Sequence, residues 1–389
     1  MRLFVRADPV MRPILKAVII AALTTTSVTG FAATYVYVSN AEDSNIGTYT
    51  IEADGSLKAG PRVAAANLVM PMTVSPDRKF LYAAIRSKPF SVITYAIDPA
   101  SGALKQLSTS PLAESFPYIS LDKTGRWLFG ASYGGHLISV NAVGADGRVD
   151  GTPSQVIPVG RNAHSIRADE SNKFVYVPTL GTDQVFQFTF DASTGRLASN
   201  TPSTVMTKAM TGPRHFVVSR DNRYVYVLNE LVGTVTTYAL DAKTGLLTEK
   251  ESASGVPPDA KLVPGAPRGA VGAPGGPPPR NTDNDIWSAD VNITPDGKFL
   301  YMTERTGSTL GAFSVDGATG KLTYIGSTLT EKQPRGFRID PKGKYLVASG
   351  EKSDTISIYA IDGVSGSLKT LGKAPAGKGA NWVEIVSFD

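Results

Sequence analysis

Histidine is scarce in this chain, three residues in 389, so the surroundings of His136, His164 and His215 limit where imidazole proton chemistry can occur. His215 directly follows Arg214 in GPRH (212–215), and His164 lies in NAHSI (162–166). Further unusual polar residues are Asn229 and Glu230 in NEL (229–231), Asp290 in ADV (289–291), Glu304 and Arg305 in ERT (304–306), and Arg335 in QPRGF (333–337). If these were gathered at one place, the guanidinium groups would recognise a carboxylate or phosphate through their planar forks. The same arginines could polarise a carbonyl and stabilise a developing oxyanion, while His164 or Glu230 took a proton from water. Other chemistries are not supported. There is no cysteine, which excludes thiolate nucleophiles, disulfides and Cys-ligated metals. No Ser-His-Asp signal, phosphate-binding glycine loop or metal-ligand spacing stands out, so neither a metal nor a cofactor is expected, with a carboxylate-lined calcium site in the channel as the alternative left open.

Whether these residues meet depends on the elements that carry them, and those elements repeat. SPDRKFLYAA (75–84), DKTGRWLFGA (122–131), DESNKFVYVP (169–178), SRDNRYVYVL (219–228), TPDGKFLYMT (294–303) and DPKGKYLVAS (340–349) align. Their aromatics, Phe80, Trp127, Phe174, Tyr224, Phe299 and Tyr345, are spaced by 47, 47, 50, 75 and 46 residues. A second motif runs in step: DPASGAL (98–104), DASTGRL (191–197), DAKTGLL (241–247), DGATGKL (316–322) and DGVSGSL (362–368), with the shorter ADGSL (53–57) and ADGRV (145–149). Each unit holds four short strand-like segments, and four strands in about 47 residues describe a propeller blade.

Seven such units are counted, so the expected fold is all-β, a seven-bladed propeller of four-stranded antiparallel blades. TYVYVSN (34–40) lacks a preceding first strand and NWVEIVSF (381–388) lacks a blade, so the two termini should share one blade and close the ring. The surplus of 28 residues between Tyr224 and Phe299 is the Pro/Gly-rich stretch 255–285, read as an inter-blade loop leading into Trp287 and Asp290. In a propeller, the links into each first strand and out of each second strand lie on one face. That topology puts His164, Arg214, His215, Asn229, Glu230, Glu304, Arg305 and Arg335 at one mouth near the axis, with His136 on the same face.

Residues 1–33 read as a secretory leader: Arg2, Arg6, Arg12 and Lys16 precede an apolar run from Ala17, and small residues follow at 30–33. The propeller domain is then 34–389, and the expected location is periplasmic or secreted. The run is too short for a spanning helix, so no membrane association is expected after cleavage. The formal charge of +5 falls to +2 once the leader's four cations and Asp8 are removed, and no basic stripe for nucleic acid remains. A closed ring leaves few strand edges free, which makes a monomer the expectation.

TGPRHFVVSRDNRYVYVLNEL (211–231), ADVNITPDGKFLYMTERT (289–306) and QPRGFRIDPKGKYLVASGEKSDTISIYAI (333–361) resemble the seven-bladed propeller lactonase family. That family includes the bacterial propeller-type 6-phosphogluconolactonase and the fungal carboxymuconate lactonizing enzyme. The resemblance implies hydrolysis of a sugar δ-lactone, 6-phosphogluconolactone or a gluconolactone-like molecule, without a metal. It assigns catalytic roles to His164, Arg214, Glu230 and Arg305, and substrate contact to Arg335. His215, Asn229 and Asp290, on the same face, are expected to bind substrate. On this reading Arg214→Ala and Glu230→Gln abolish turnover with little change in melting. Two other readings stay open, a muconate-type cycloisomerase and a non-catalytic exported binding propeller.

Overall fold

The structure, a computed structural model, describes residues 1–4, 6–7, 33–267 and 281–388. The stretch 8–32, most of the expected leader, and 268–280 within the Pro/Gly segment lie outside the described residues. Within the unit Ala32–Asp389, the described residues form 28 strands arranged as seven four-stranded antiparallel sheets, as the repeats predict. Numbering blades from the N-terminus, blade one has the order Ala380–Phe388, Ala33–Asn40, Asn45–Ile51, Leu57–Ala64. Its innermost strand is the chain's last, and it pairs with the chain's first strand from Ala33↔Phe388 to Asn40↔Ala380.

Both faces of a blade pack against neighbours, and this shows in the sequence. The second strands of blades four and five, FVYVPT (Phe174–Thr179) and YVYVLN (Tyr224–Asn229), are buried at every position, without polar alternation. Their side chains enter apolar clusters shared between adjacent blades: Tyr176, Phe216, Val225 and Tyr238 between four and five, and Tyr226, Val291, Leu300 and Phe313 between five and six. Each such side chain contributes about 1.5–3 kcal/mol through burial. The outermost strands meet water on one face, and Leu322–Leu329 alternates accordingly.

The two repeated motifs prove to be halves of one joint. In the turn Asp241 to Leu247, the Asp241 side chain accepts hydrogen bonds from the amides of Lys243 and Thr244, and Gly245 takes φ of 70°. Only glycine adopts that conformation without strain, and a Cβ on Gly245 would also enter the ring of Phe174 in the preceding blade. The same pairing recurs around the ring, with Gly102 on Tyr35, Gly147 on Phe80, Gly195 on Trp127, Gly320 on Tyr224 and Gly366 on Phe299. Gly55 of blade one meets Tyr345 of blade seven, which completes the circle.

The first strands line the axis, side by side. Five of them carry a register shift near their entry: Val69/Met72, Pro213/Phe216, Ser288/Val291, Pro334/Phe337 and, in the closing strand, Ala380/Trp382. A bulge puts two residues opposite one and re-aims their side chains, and here it does so at the mouth where the polar residues gather.

Candidate active site

Arg214 and His215 fall inside the bulge of the blade-five strand Pro213–Val218, and Glu230 follows the end of the neighbouring strand Tyr224–Asn229. Trp287 and Arg305 flank the first two strands of blade six, Ser288–Ile293 and Phe299–Glu304. Arg214, Glu230, Trp287 and Arg305, with His164 from blade four and Arg335 from blade seven, line a cavity of about 170 Å³, completed by Arg86, Pro117 and Tyr133. The structure therefore brings together His164, Arg214, Glu230, Arg305 and Arg335.

Glu230 is the hub. Its Oε2 lies 2.7 Å from Nε of Arg214 and 3.2 Å from Nη2 of Arg305, and its Oε1 accepts a hydrogen bond from the Trp287 indole N–H at 3.2 Å. Arg305 also donates from Nε to the Trp287 carbonyl at 3.0 Å, and its guanidinium lies 3.5 Å from the centroid of the Trp287 ring. Arg214 donates from Nη1 to the carbonyl of Ala289 and reaches Nε2 of His215 at 3.1 Å. Among the described residues, no hydrogen bond or ion pair engages Nη2 of Arg214 or Nη1 of Arg305, so each guanidinium keeps one amino group for a ligand. Burial lowers the pKa of both arginines despite Glu230, that of Arg214 to about 10, which leaves Arg214 charged at neutral pH.

His164 faces this cluster in the opposite protonation state. Burial, and then the charges of Arg214, His215 and Arg335, hold its pKa well below 6.5, so the ring is neutral. Its Nδ1 is buried without a hydrogen-bond partner among the described residues. The ring stands edge-on to Tyr133 and His215, with centroids 5.6 and 5.1 Å away. Glu230, by contrast, faces three donors, which leaves His164 as the group able to accept a proton.

His215, Asn229 and Asp290, expected as substrate contacts, do not line the cavity. His215 lies behind Arg214, bonded through Nδ1 to Asp290 Oδ1 at 2.9 Å. Asn229 spends its amide on Thr234 and Thr236, closing the turn to the next strand. Glu304 accepts from the backbone N–H groups of Trp287 and Thr306 and shapes the loop under the indole. His136 accepts from the Asn162 amide at 3.1 Å, a loop-to-loop tie rather than part of the cavity.

Sequence reasoning missed Arg86, Tyr133 and the part played by Trp287. Arg86 and Tyr133 stand just beyond the second strands of blades two and three, the position that singled out Arg305, so the same topological rule could have found them. Arg86 is bonded to Ser115 Oγ at 3.1 Å and Met70 Sδ at 3.4 Å, and no carboxylate pairs with it among the described residues. Its pKa falls to about 10, through burial first and then through Arg335 and Arg214. Arg335 pairs with Glu351 at 3.4 Å. Four guanidinium groups thus face two carboxylates, and the cavity suits an anion.

The described ends of the Pro/Gly segment brace this site. Gly265 N–H bonds the carbonyl of Leu231, next to Glu230, and Ile286 N–H bonds that of Val263, next to Trp287.

The family model "Lactonase, 7-bladed beta-propeller" matches residues 29–385. A 6-phosphogluconolactonase of Serratia proteamaculans is 37% identical over 352 residues, covering 90% of this chain and 98% of that protein. One from Pectobacterium carotovorum is 34% identical, covering 91% and 99%. Among solved structures, a periplasmic gluconolactonase of Pseudomonas aeruginosa superimposes with a TM-score of 0.77 at 26% identity, covering 92% of this chain and 99% of that one.

Proposed function

The chain belongs to the seven-bladed β-propeller lactonase family, and we propose that it hydrolyses a sugar δ-lactone to the aldonic acid at the mouth lined by His164, Arg214, Glu230 and Arg305. The observation that carries the assignment of roles is the Glu230 clamp, which holds two guanidinium groups in place and leaves one amino group on each for the substrate. Nη2 of Arg214 and Nη1 of Arg305 polarise the lactone carbonyl. His164 takes a proton from water as the water oxygen bonds to the carbonyl carbon, and the tetrahedral oxyanion is met by the two guanidinium groups. When the ring C–O bond breaks, His164 returns the proton to the departing alkoxide oxygen, and the new carboxylic acid releases its remaining proton to solvent and is held by the arginines as the carboxylate. Glu230 orients the arginines and takes no proton.

The excess of cations extends the reading to the substrate. Arg86 and Arg335 lie where they would meet a second, remote anionic group, a phosphate ester or a carboxylate on the sugar. A leader over residues 1–33 and a periplasmic location belong to the same proposal, supported by the likeness to a periplasmic gluconolactonase. N-terminal sequencing of protein from a periplasmic extract tests that part; an intact Met1 would refute cleavage.

The deciding experiment is pH-stat hydrolysis of fresh glucono-δ-lactone and its 6-phosphate against the uncatalysed rate, with Arg214→Ala as control. Arg214-dependent acceleration of either supports the lactonase assignment, and no acceleration of either refutes it for these lactones.

A further inference from the structure

Behind the arginine that faces the substrate lies a chain of groups with no direct access to the cavity. Arg214 Nη1 is 3.1 Å from His215 Nε2, and His215 Nδ1 is 2.9 Å from Asp290 Oδ1. A guanidinium has no acceptor, so in the Arg214 contact the imidazole nitrogen must carry the lone pair. The imidazole proton then resides on Nδ1, where the Asp290 carboxylate accepts it. The tautomer is fixed by its two neighbours rather than by either alone.

The surroundings hold this arrangement in place. The His215 side chain is 3% exposed, and its ring meets Tyr118, His164 and Trp382 edge-on at 4.9, 5.1 and 6.0 Å. Asp290 Oδ1 also accepts from the Val291 amide at 3.0 Å, and Oδ2 from Asn292 at 3.3 Å and the Phe337 amide at 3.4 Å. Two of the entry bulges supply the geometry: one lets consecutive residues Arg214 and His215 both point inward, and the other aims the Ala289 carbonyl at Arg214 and Asp290 at His215. The charged groups bearing on the imidazole are Arg214, Asp290 and Arg335; burial outweighs Asp290, and the ring stays neutral, its pKa lowered to about 3.

We propose that Asp290 and His215 form a positioning dyad, in which Asp290 sets the His215 tautomer so that Nε2 accepts from Nη1 of Arg214 and fixes the rotation of the guanidinium that meets the lactone carbonyl. This rests on the lactonase reading for its kinetic consequence, but the tautomer itself does not. Neither residue touches substrate. Asn at 290 can offer its NH₂ to Nδ1, which would place the ring proton on Nε2 and set donor against donor at Arg214.

With three histidines in the chain, ¹⁵N-histidine labelling gives a resolvable spectrum, assigned by His136→Gln and His164→Gln. The expected result at neutral pH is a His215 ring protonated on Nδ1 and bare on Nε2. An Nε2–H tautomer, an imidazolium or an averaged pair overturns the proposal whatever the enzyme hydrolyses. Kinetics supply the second arm on the lactone that the wild type turns over. Asp290→Asn should lower kcat about 10–100-fold with little change in KM, the range for removing an orienting partner. His215→Gln, whose side-chain carbonyl can still accept from Arg214, should retain more kcat than His215→Leu. Equal losses in a folded Gln and Leu pair, or unchanged kcat in Asp290→Asn, would overturn the proposal. If a variant fails to fold by circular dichroism, the wild-type spectrum decides. A wild type inactive on every lactone sinks the lactonase reading and leaves the spectrum to decide the tautomer.

Discussion

Glu230 and Arg214 face each other at 2.7 Å with side chains 6% and 1% exposed, a buried ion pair at the wall of the cavity. Removing one partner strands the other charge in a poorly solvated site, which typically costs about 3–5 kcal/mol. The expectation that Arg214→Ala leaves melting unchanged is thereby corrected: this variant should lose turnover and stability together. Urea unfolding followed by tryptophan fluorescence checks it, and an unchanged midpoint would mean that the pair contributes little.

The histidines predict a pH dependence of stability. His164 and His215 are neutral in the fold, with pKa values well below 6.5 and about 3, whereas in the unfolded chain each titrates near 6.5. The unfolded state therefore binds more protons as pH falls below about 6.5, and stability must decline from there toward the folded-state pKa values. Above that pH the two rings contribute no slope. Unfolding midpoints between pH 8 and 5 should fall on the acid side, and less steeply in His215→Gln.

Turnover should follow the neutral form of His164. Because its pKa lies below 6.5, kcat/KM should stay level from pH 7.5 to 6.5 once the uncatalysed rate is subtracted, with the acid limb lower still. His164→Gln should remove that limb and lower kcat about 10²–10⁴-fold, the usual worth of a positioned base. A limb centred at or above 6.5 would point to another group.

Arg86 offers a test of substrate charge. With no carboxylate paired to it among the described residues, it should favour lactones that carry a remote anion. The wild type should show a higher kcat/KM for glucono-δ-lactone 6-phosphate than for glucono-δ-lactone, and Arg86→Met should lower that ratio about tenfold or more. A ratio that does not move would remove Arg86 from substrate recognition, and a matching gain with a 6-carboxylate lactone would show that charge rather than phosphate is read.

At the blade joints, Gly245→Ala should cost about 2–4 kcal/mol, since it adds left-handed strain to a clash with the Phe174 ring. The folded fraction should keep the kcat of the parent, because the joint lies on the outer side of the blade. Thermal melting with activity assayed below the transition separates the two effects.

The fold was legible because two motifs recur in step, and each recurrence reports the same joint between an aromatic and a turn glycine. Topology then put His164, Arg214, Glu230, Arg305 and Arg335 at one mouth, and in the structure these five line one cavity. What it could not supply was depth. Arg214 and His215 are neighbours in sequence, and only the bulge between Pro213 and Phe216 decides that one lines the cavity and the other supports it. Asn229 looked like a ligand for its position, yet its amide is used within its own blade by Thr234 and Thr236. Arg86 drew no attention because its neighbourhood, IRSKP (85–89), carries no other unusual polar residue.

The strand that seals blade one, Ala380–Phe388, is synthesised after the other described strands of the ring. Until it arrives, the strand Ala33–Asn40 presents an unpaired edge toward the axis, and its closing contacts span nearly the whole sequence. Ring closure therefore waits for this strand and is a high-contact-order event, which makes it a slow step. A ribosome stalled before Ala380 would hold an open arc with a template for strand addition at its end, so the hazard of misassembly in this molecule is concentrated in time as well as in space.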